Sequence, residues 1–233
     1  MSIIKKDPYA ALKYSDFRKF LFAKILITVA YQIQSVVVGW HIYELTKDPL
    51  SLGLIGLAEI IPNFSIALFA GHFADVYNRK KMVIFSYALF ILSGILMWAT
   101  SQYVPRENQT TYLYLLVGVI GFSRGIGGPS MFSIMTECVP KEAYVNSTTW
   151  HSTLWQISFV IGAGISGFLY YWLSYDVYLF FTALLVLASA SVLLIKVNHE
   201  REIKKHDNIF VSDVGLHSLF NNVPSDIFAK LLA

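Results

Sequence analysis

Charged residues and cysteine are both scarce in this sequence. Of its 233 residues only 14% are charged, and one is a cysteine. An average soluble domain has about 25% charged residues, which cover its surface in water, whereas a surface that faces lipid does not need them. The single Cys138 excludes an internal disulfide, and the six histidines are scattered without the spacing of a metal site. We therefore expect a membrane protein with neither a metal nor a cofactor and with no nucleic-acid partner, and the small net charge of +3 means little by itself.

Long apolar runs make up most of the chain instead. Six are long enough for the roughly 20-residue helix that crosses a bilayer, and short polar segments separate them. They predict an all-α polytopic membrane domain over residues 20–197, followed by a polar cytoplasmic tail at 198–233. The predicted spans are residues 20–45, 51–70, 82–102, 112–136, 147–173 and 177–197.

Residues 1–19 form a juxtamembrane segment rich in basic and aromatic residues. One side of a short helix on the lipid headgroups is expected to carry Tyr9, Leu12, Phe17 and Phe20. The run that follows is too long for the apolar core of a signal peptide, so the first span is expected to act as an uncleaved insertion signal.

The basic residues indicate how the chain is oriented. With the N-terminus inside, fifteen of the eighteen lysines and arginines are cytoplasmic: six in the first 24 residues, three at 79–81, one at 141 and five after residue 195. Lys47 and Arg106 fall outside, and Arg124 lies within a span. Because polytopic proteins collect Lys and Arg on the cytoplasmic side, we expect a multi-pass protein of the cell inner membrane with both termini in the cytoplasm.

The segment between the second and third spans has the most specific pattern. A glycine, a carboxylate and a basic pair occur at Gly71, Asp75, Arg79 and Lys80, as expected where a chain turns on the cytoplasmic face. This spacing resembles the signature loop of the major facilitator superfamily, Gly-x-x-x-Asp-x-x-x-Arg-Arg/Lys. Residues 45–54 also look like the end of span one and the start of span two in the prokaryotic branch that includes the enterobactin exporter and macrolide efflux proteins.

The resemblance implies half of a major facilitator fold. Members have twelve spans in two six-span halves, each half consists of two inverted three-span repeats, and substrate binds between the halves near the midplane. The chain resembles the N-terminal half, so its implied partner is a missing C-terminal six-span half or a second copy. By the same resemblance, Gly71, Asp75, Arg79 and Lys80 form a latch that closes the cytoplasmic side in the outward-facing state.

The function implied is secondary active transport, and no catalytic residue is assigned. Protons would drive the efflux of an amphipathic small molecule, such as a drug or a siderophore, by antiport and alternating access. Two alternatives stay open: a truncated fragment or membrane interaction module that does not transport, and a membrane-embedded enzyme. An enzyme would need clustered acid–base or metal-binding residues at one depth, and the scattered histidines argue against it.

Two ionisable residues lie near the middle of predicted spans, Glu59 in the second and Arg124 in the fourth. An arginine or an aspartate at the centre of a membrane helix costs about 2.5 to 3.5 kcal/mol on translocon scales, so neither residue should face lipid. One hypothesis makes Glu59 the proton-coupling carboxylate, with Arg124 holding either Glu59 or an anionic substrate. The alternatives are a structural ion pair, or side chains that reach water at an interface.

Spans one and five carry polar and small residues as well. Gln32, Trp155 and Gln156 are candidates for lining a substrate cavity, and interhelical hydrogen bonds worth about 0.6 kcal/mol each are the alternative. Small residues permit close helix contact. The glycines predicted to pack helices in this way are Gly162, Gly164 and Gly167.

Overall fold

The computed structural model describes the backbone of residues 9–76 and 78–195, and the side chains of those residues outside 67–76. This part of the chain consists of six long helices, with three short 3-10 turns and no strand, so the predicted all-α class is confirmed. The helices are α1 (Ser15–Thr46), α2 (Pro49–Val76), α3 (Arg79–Tyr103), α4 (Arg106–Glu137), α5 (Tyr144–Leu173) and α6 (Val177–Leu193).

Most of this helical structure is suited to a membrane. Five stretches of the described residues are long and apolar enough to cross one, and the last of them contains both α5 and α6. They are Ser15–Thr46, Pro49–Ile66, Arg79–Tyr103, Arg106–Glu137 and Lys141–Leu193.

Several helices extend beyond the predicted spans. The backbone is helical to Val76, so Gly71 and Asp75 lie in α2 and not in a turn. The break comes near Asn78, whose side-chain oxygen accepts a hydrogen bond from the Lys81 backbone amide at 3.2 Å and caps α3. Likewise the predicted loop at 103–111 is mostly helix, because α4 begins at Arg106. Apolar runs locate the hydrocarbon core, whereas hydrogen bonding and capping decide where a helix ends.

The prediction of a headgroup helix near the N-terminus is wrong for Phe17 and Phe20. Phe17 and Phe20 belong to α1, and both are fully buried in an apolar cluster with residues of α3, α4 and α6. The preceding segment is fixed as well, since the Ala11 amide donates a 2.9 Å hydrogen bond to the side-chain oxygen of Asn146. Burial in the helix bundle removes more of each ring from water than an interfacial position would.

The packing of the helices repeats itself in the two halves of the bundle. The main contacts of α2 are with α4 and those of α5 are with α1, while α3 packs on α4 and α6 packs on α1. Exchanging α1–α3 for α4–α6 therefore reproduces the contact pattern, and α3 against α6 maps onto itself. Because each repeat has an odd number of helices, consecutive repeats run in opposite directions, as inverted repeats require. The arrangement places α1 and α4 at the centre.

Candidate functional site

Two glycines of α4 bring α2 unusually close. A Cβ at Gly121 would overlap the backbone oxygen of Glu59, and one at Gly125 would come within 2.7 Å of the backbone oxygen of Asn63. Small residues at helix contacts allow backbones in a membrane to approach in this way. The approach fixes the backbone of Glu59 beside the turn of α4 that carries Arg124.

Glu59 and Arg124 form an ion pair at this contact, together with Tyr31 of α1. The Arg124 guanidinium donates to Oε1 of Glu59, and the Tyr31 hydroxyl donates to the same oxygen at 2.7 Å. The guanidinium carbon also lies 3.8 Å from the centroid of the Tyr31 ring, in cation–π geometry. The side chain of Glu59 is 15% exposed and that of Arg124 is 39% exposed. One carboxylate oxygen therefore joins α1, α2 and α4.

The negative charge of Glu59 strengthens both of its contacts. Ionised Glu59 accepts two hydrogen bonds and carries the charge that pairs with Arg124. A neutral Glu59 carboxyl would still accept hydrogen bonds but would lose the charge that pairs with Arg124, whose guanidinium also contacts the Tyr31 ring. Of the two predicted partners for Arg124, Glu59 or an anionic substrate, the structure contains Glu59.

A small cavity beside the ion pair contains a second cation that the sequence analysis missed. It measures about 200 Å³, and Lys24 and Arg124 line it together with Tyr31 and Asn63. The charge count treated Lys24 as cytoplasmic, but it is half-buried in α1. Among the described residues, no carboxylate forms an ion pair with Lys24. Lys24 lies nine residues after the start of α1, and this position in the helix was the feature that could have indicated its burial.

The predicted cavity residues of spans one and five take other positions. Gln32 is buried against α5, where a Cβ at Gly162 would lie 2.8 Å from its own Cβ. Gln32 therefore lies at an α1–α5 packing contact and does not line the cavity beside Arg124, and its role in lining a substrate cavity stays a prediction. Trp155 and Gln156 are exposed on α5, away from that cavity, and their lining role stays a prediction.

The three glycines of α5 have different surroundings. Gly162 is packed tightly against α1, and a Cβ there would also come 3.1 Å from the Cα of Val29. A Cβ at Gly164 or Gly167 would meet nothing within 4 Å in the described structure. The packing role of these two glycines stays a prediction.

Two members of the predicted latch contact other helix ends. Arg79 forms a 2.8 Å ion pair with Glu137 at the end of α4. Lys80 donates hydrogen bonds to the carbonyl oxygens of Leu193 and Ile195, at 2.7 and 2.8 Å, at the end of α6. The other two members, Gly71 and Asp75, lie outside the residues whose side chains are described, so the latch stays a prediction.

A buried histidine network at the opposite end of α1 was also missed from the sequence. The Gln109 amide nitrogen donates to the Val104 carbonyl at 2.8 Å, so its oxygen is left to accept from Nε2 of His41 at 3.2 Å. Nδ1 of His41 is hydrogen-bonded to the Tyr178 hydroxyl at 2.9 Å. The network ties α1, α4 and α6 together, with a partner for each ring nitrogen.

Comparison with known proteins places the chain beside bacterial transport and resistance proteins. The sequence pattern of the Major Facilitator Superfamily matches residues 20–224. The staphyloferrin A transporter of Staphylococcus aureus is 20% identical over 149 residues, which cover 64% of this chain and 37% of that protein. The quinolone resistance protein NorA of the same species is 23% identical over 130 residues, which cover 55% of this chain and 31% of that protein. The chain thus spans about a third of the length of these relatives.

Proposed function

Because this chain belongs to the major facilitator superfamily, we propose that it is one six-helix unit of a proton-driven exporter of amphipathic small molecules. The unit works by alternating access, and its partner is a second six-helix unit, either the C-terminal half of such a transporter or a second copy. It lies in the inner membrane with its N-terminus in the cytoplasm. The names of the two relatives, a siderophore-type transporter and a quinolone resistance protein, support export of a drug or a siderophore.

The observation that carries the proposal is the shared carboxylate oxygen of Glu59. Antiport requires that proton and substrate favour different conformations, since they must cross in opposite directions. Ionised Glu59 holds α2 against α4 and α1 through Arg124 and Tyr31. Protonation weakens this three-helix contact, so the proton favours the conformation in which the helices separate, and substrate favours the joined one.

Lys24 supports a second candidate with the opposite coupling. Lys24 and Arg124 together exceed the single charge of Glu59, so the cavity attracts an anion. An anionic substrate that takes Arg124 from Glu59 binds better when Glu59 is protonated. Proton and anion then bind together, which by linkage is symport. The direction of coupling therefore distinguishes the two candidates.

The test is transport by the purified chain in liposomes, alone and co-reconstituted with a six-span partner unit. Norfloxacin, ethidium and the anion benzylpenicillin serve as probes, and entrapped pyranine reports proton movement. Antiport predicts that an opposing proton gradient drives probe accumulation, whereas symport predicts accumulation along the gradient. Glu59→Gln is expected to abolish the dependence on the gradient, because glutamine keeps the shape but cannot release a proton. The control Glu107→Gln removes an exposed carboxylate at the start of α4.

Three outcomes contradict the proposal in different ways. Glu59→Gln with full proton-coupled transport overturns the role of Glu59. Symport of an anionic probe favours the second candidate. No gradient-driven movement under either reconstitution condition leaves the chain as a non-transporting fragment or interaction module.

A further inference from the structure

A larger cavity lies between α1 and α5, near the end of α1 that is far from the N-terminus. It measures about 540 Å³, within the range of about 300 to 1,000 Å³ typical of small-molecule sites. Its walls combine one carboxylate with aromatic rings from both helices. They are formed by Glu44, Trp40, Tyr170, Tyr171 and Tyr175, with small and aliphatic residues between them.

Glu44 has its hydrogen bonds satisfied but its charge unpaired. Oε1 accepts from the indole nitrogen of Trp40 at 2.7 Å, and Oε2 accepts from the Tyr170 hydroxyl at 2.7 Å. Both donors are neutral, so they fix the carboxylate without cancelling its charge. Asp16, Glu59 and Glu137 each have a cationic partner, whereas no lysine, arginine or histidine forms an ion pair with Glu44 in the described part of the chain.

The aromatic rings around Glu44 form a partly enclosed wall. The ring centroids of Trp40 and Tyr170 are 6.3 Å apart, and those of Tyr170 and Tyr175 are 6.1 Å apart. The faces of such rings attract cations, and desolvation strengthens the attraction. A carboxylate held by neutral donors inside an aromatic wall complements a cation with an apolar body.

We propose that this cavity binds a lipophilic organic cation, with Glu44 as its counter-charge. The site is distinct from the Glu59 contact, because Glu44 lies 13 residues beyond Tyr31 in α1, about 20 Å along a helix axis. Binding itself does not require transport. That the bound cation is also exported rests on the function proposed above.

The test is equilibrium binding of radiolabelled tetraphenylphosphonium to the full 233-residue chain in nanodiscs of uncharged phosphatidylcholine. Tetraphenylborate, which has the same shape and the opposite charge, is the matched probe. We expect saturable binding of the cation and none of the anion. Glu44→Gln is expected to weaken cation binding about tenfold or more, because it keeps an acceptor oxygen but removes the charge. Glu107→Gln, an exposed carboxylate outside the cavity, is expected to leave affinity unchanged.

A second pair of variants tests the cavity without changing its charge. Gly167 lines the cavity and has nothing within 4 Å of an added Cβ, so the isobutyl side chain of Gly167→Leu starts in open space and occupies part of the cavity. Gly164 is equally open but does not line the cavity, so Gly164→Leu is the control. We expect only the first to abolish binding of tetraphenylphosphonium.

The proposal is overturned if the wild-type chain shows no saturable binding of tetraphenylphosphonium, or if tetraphenylborate binds equally well. It is also overturned if Glu44→Gln and Gly167→Leu both bind within twofold of wild type. A chain that fails to transport but shows the expected binding pattern contradicts the proposed function alone. A transporting chain without that pattern contradicts this inference alone.

Discussion

Gly121 of α4 lies directly against the backbone carbonyl of Glu59 in α2. An added Cβ at Gly121 would overlap the carbonyl oxygen and come 2.9 Å from the carbonyl carbon. Backbone atoms cannot move aside as the end of a flexible side chain can, so the contact requires glycine. Arg124 is three residues further along the same helix. Its ion pair with Glu59 therefore depends on the lack of a side chain at Gly121.

The substitution Gly121→Ala is expected to force α2 and α4 apart and to weaken the Glu59–Arg124 pair. Overpacking of this kind costs about 1 to 3 kcal/mol. Thermal unfolding in detergent, followed by the reaction of Cys138 with a fluorogenic maleimide, measures the loss. Gly128→Ala is the control, because Gly128 is in the same helix and an added Cβ there meets nothing within 4 Å. Equal melting temperatures for the two variants would show that the contact at Gly121 has little energetic weight.

Cys138 is a suitable reporter because its thiol is shielded in the folded chain. Burial, together with the nearby carboxylates of Asp16 and Glu137, raises the pKa of Cys138 to about 12, although Lys19 acts in the opposite direction. The thiolate is the reactive form. At pH 8 we expect maleimide labelling about a hundredfold or more slower than that of an unfolded chain, whose thiol has a pKa near 8.5.

The pH dependence of the labelling rate checks this assignment. In the folded chain the Cys138 thiol keeps its proton through the pH range in which the thiol of the unfolded chain ionises. Its rate is therefore expected to rise about tenfold per pH unit from pH 7 to pH 10, whereas the rate for the chain in dodecyl sulfate levels off above about pH 8.5. A plateau near pH 8.5 for the folded chain would contradict the raised pKa.

Two features of the molecule could be predicted from the sequence because placing polar or charged groups in lipid has a large free-energy cost. Apolar runs identified the membrane helices, since a helix in lipid has to be apolar over about 20 residues. The free-energy cost of an unpaired charge at mid-depth also indicated that Glu59 and Arg124 could pair with each other, and they form an ion pair. The contacts of Tyr31, whose hydroxyl bonds to Glu59 and whose ring lies against Arg124, could not be predicted because they depend on how three helices pack.

The features that sequence reasoning missed depend on tertiary packing. Phe17 appeared interfacial because its neighbours are basic, but the ends of α3, α4 and α6 bury it. Lys24 appeared cytoplasmic because it lies near the N-terminal basic group, yet it faces the cavity beside Arg124. The sequence contains only a weak indication that Glu44 is part of a site, namely a tryptophan four residues earlier on the same helix face. The second hydrogen-bond donor, Tyr170, belongs to α5 and is known only from the structure.

The ion pair between Arg79 and Glu137 is expected to couple the ends of α3 and α4. Its side chains are 21% and 18% exposed, so solvent screens the 2.8 Å contact only in part. A double-mutant cycle with Arg79→Gln and Glu137→Gln is expected to give a coupling energy of about 1 kcal/mol in thermal or denaturant unfolding. In the control cycle, Lys81→Gln replaces Arg79→Gln. Additive effects in the first cycle would mean that the pair contributes nothing specific.

Lys80 is expected to hold the last turn of α6 in place. Its ammonium donates to the Leu193 and Ile195 carbonyls at the end of α6, and a cation at a helix C-terminus also interacts favourably with the helix dipole. Lys80→Met keeps the apolar part of the side chain but removes these bonds, so the amides of residues 193–195 should exchange with deuterium about tenfold faster. Lys81→Met removes the same charge from the neighbouring exposed position. If Lys81→Met accelerates exchange to the same degree, the effect comes from the general charge of this end of the bundle and not from the two hydrogen bonds of Lys80.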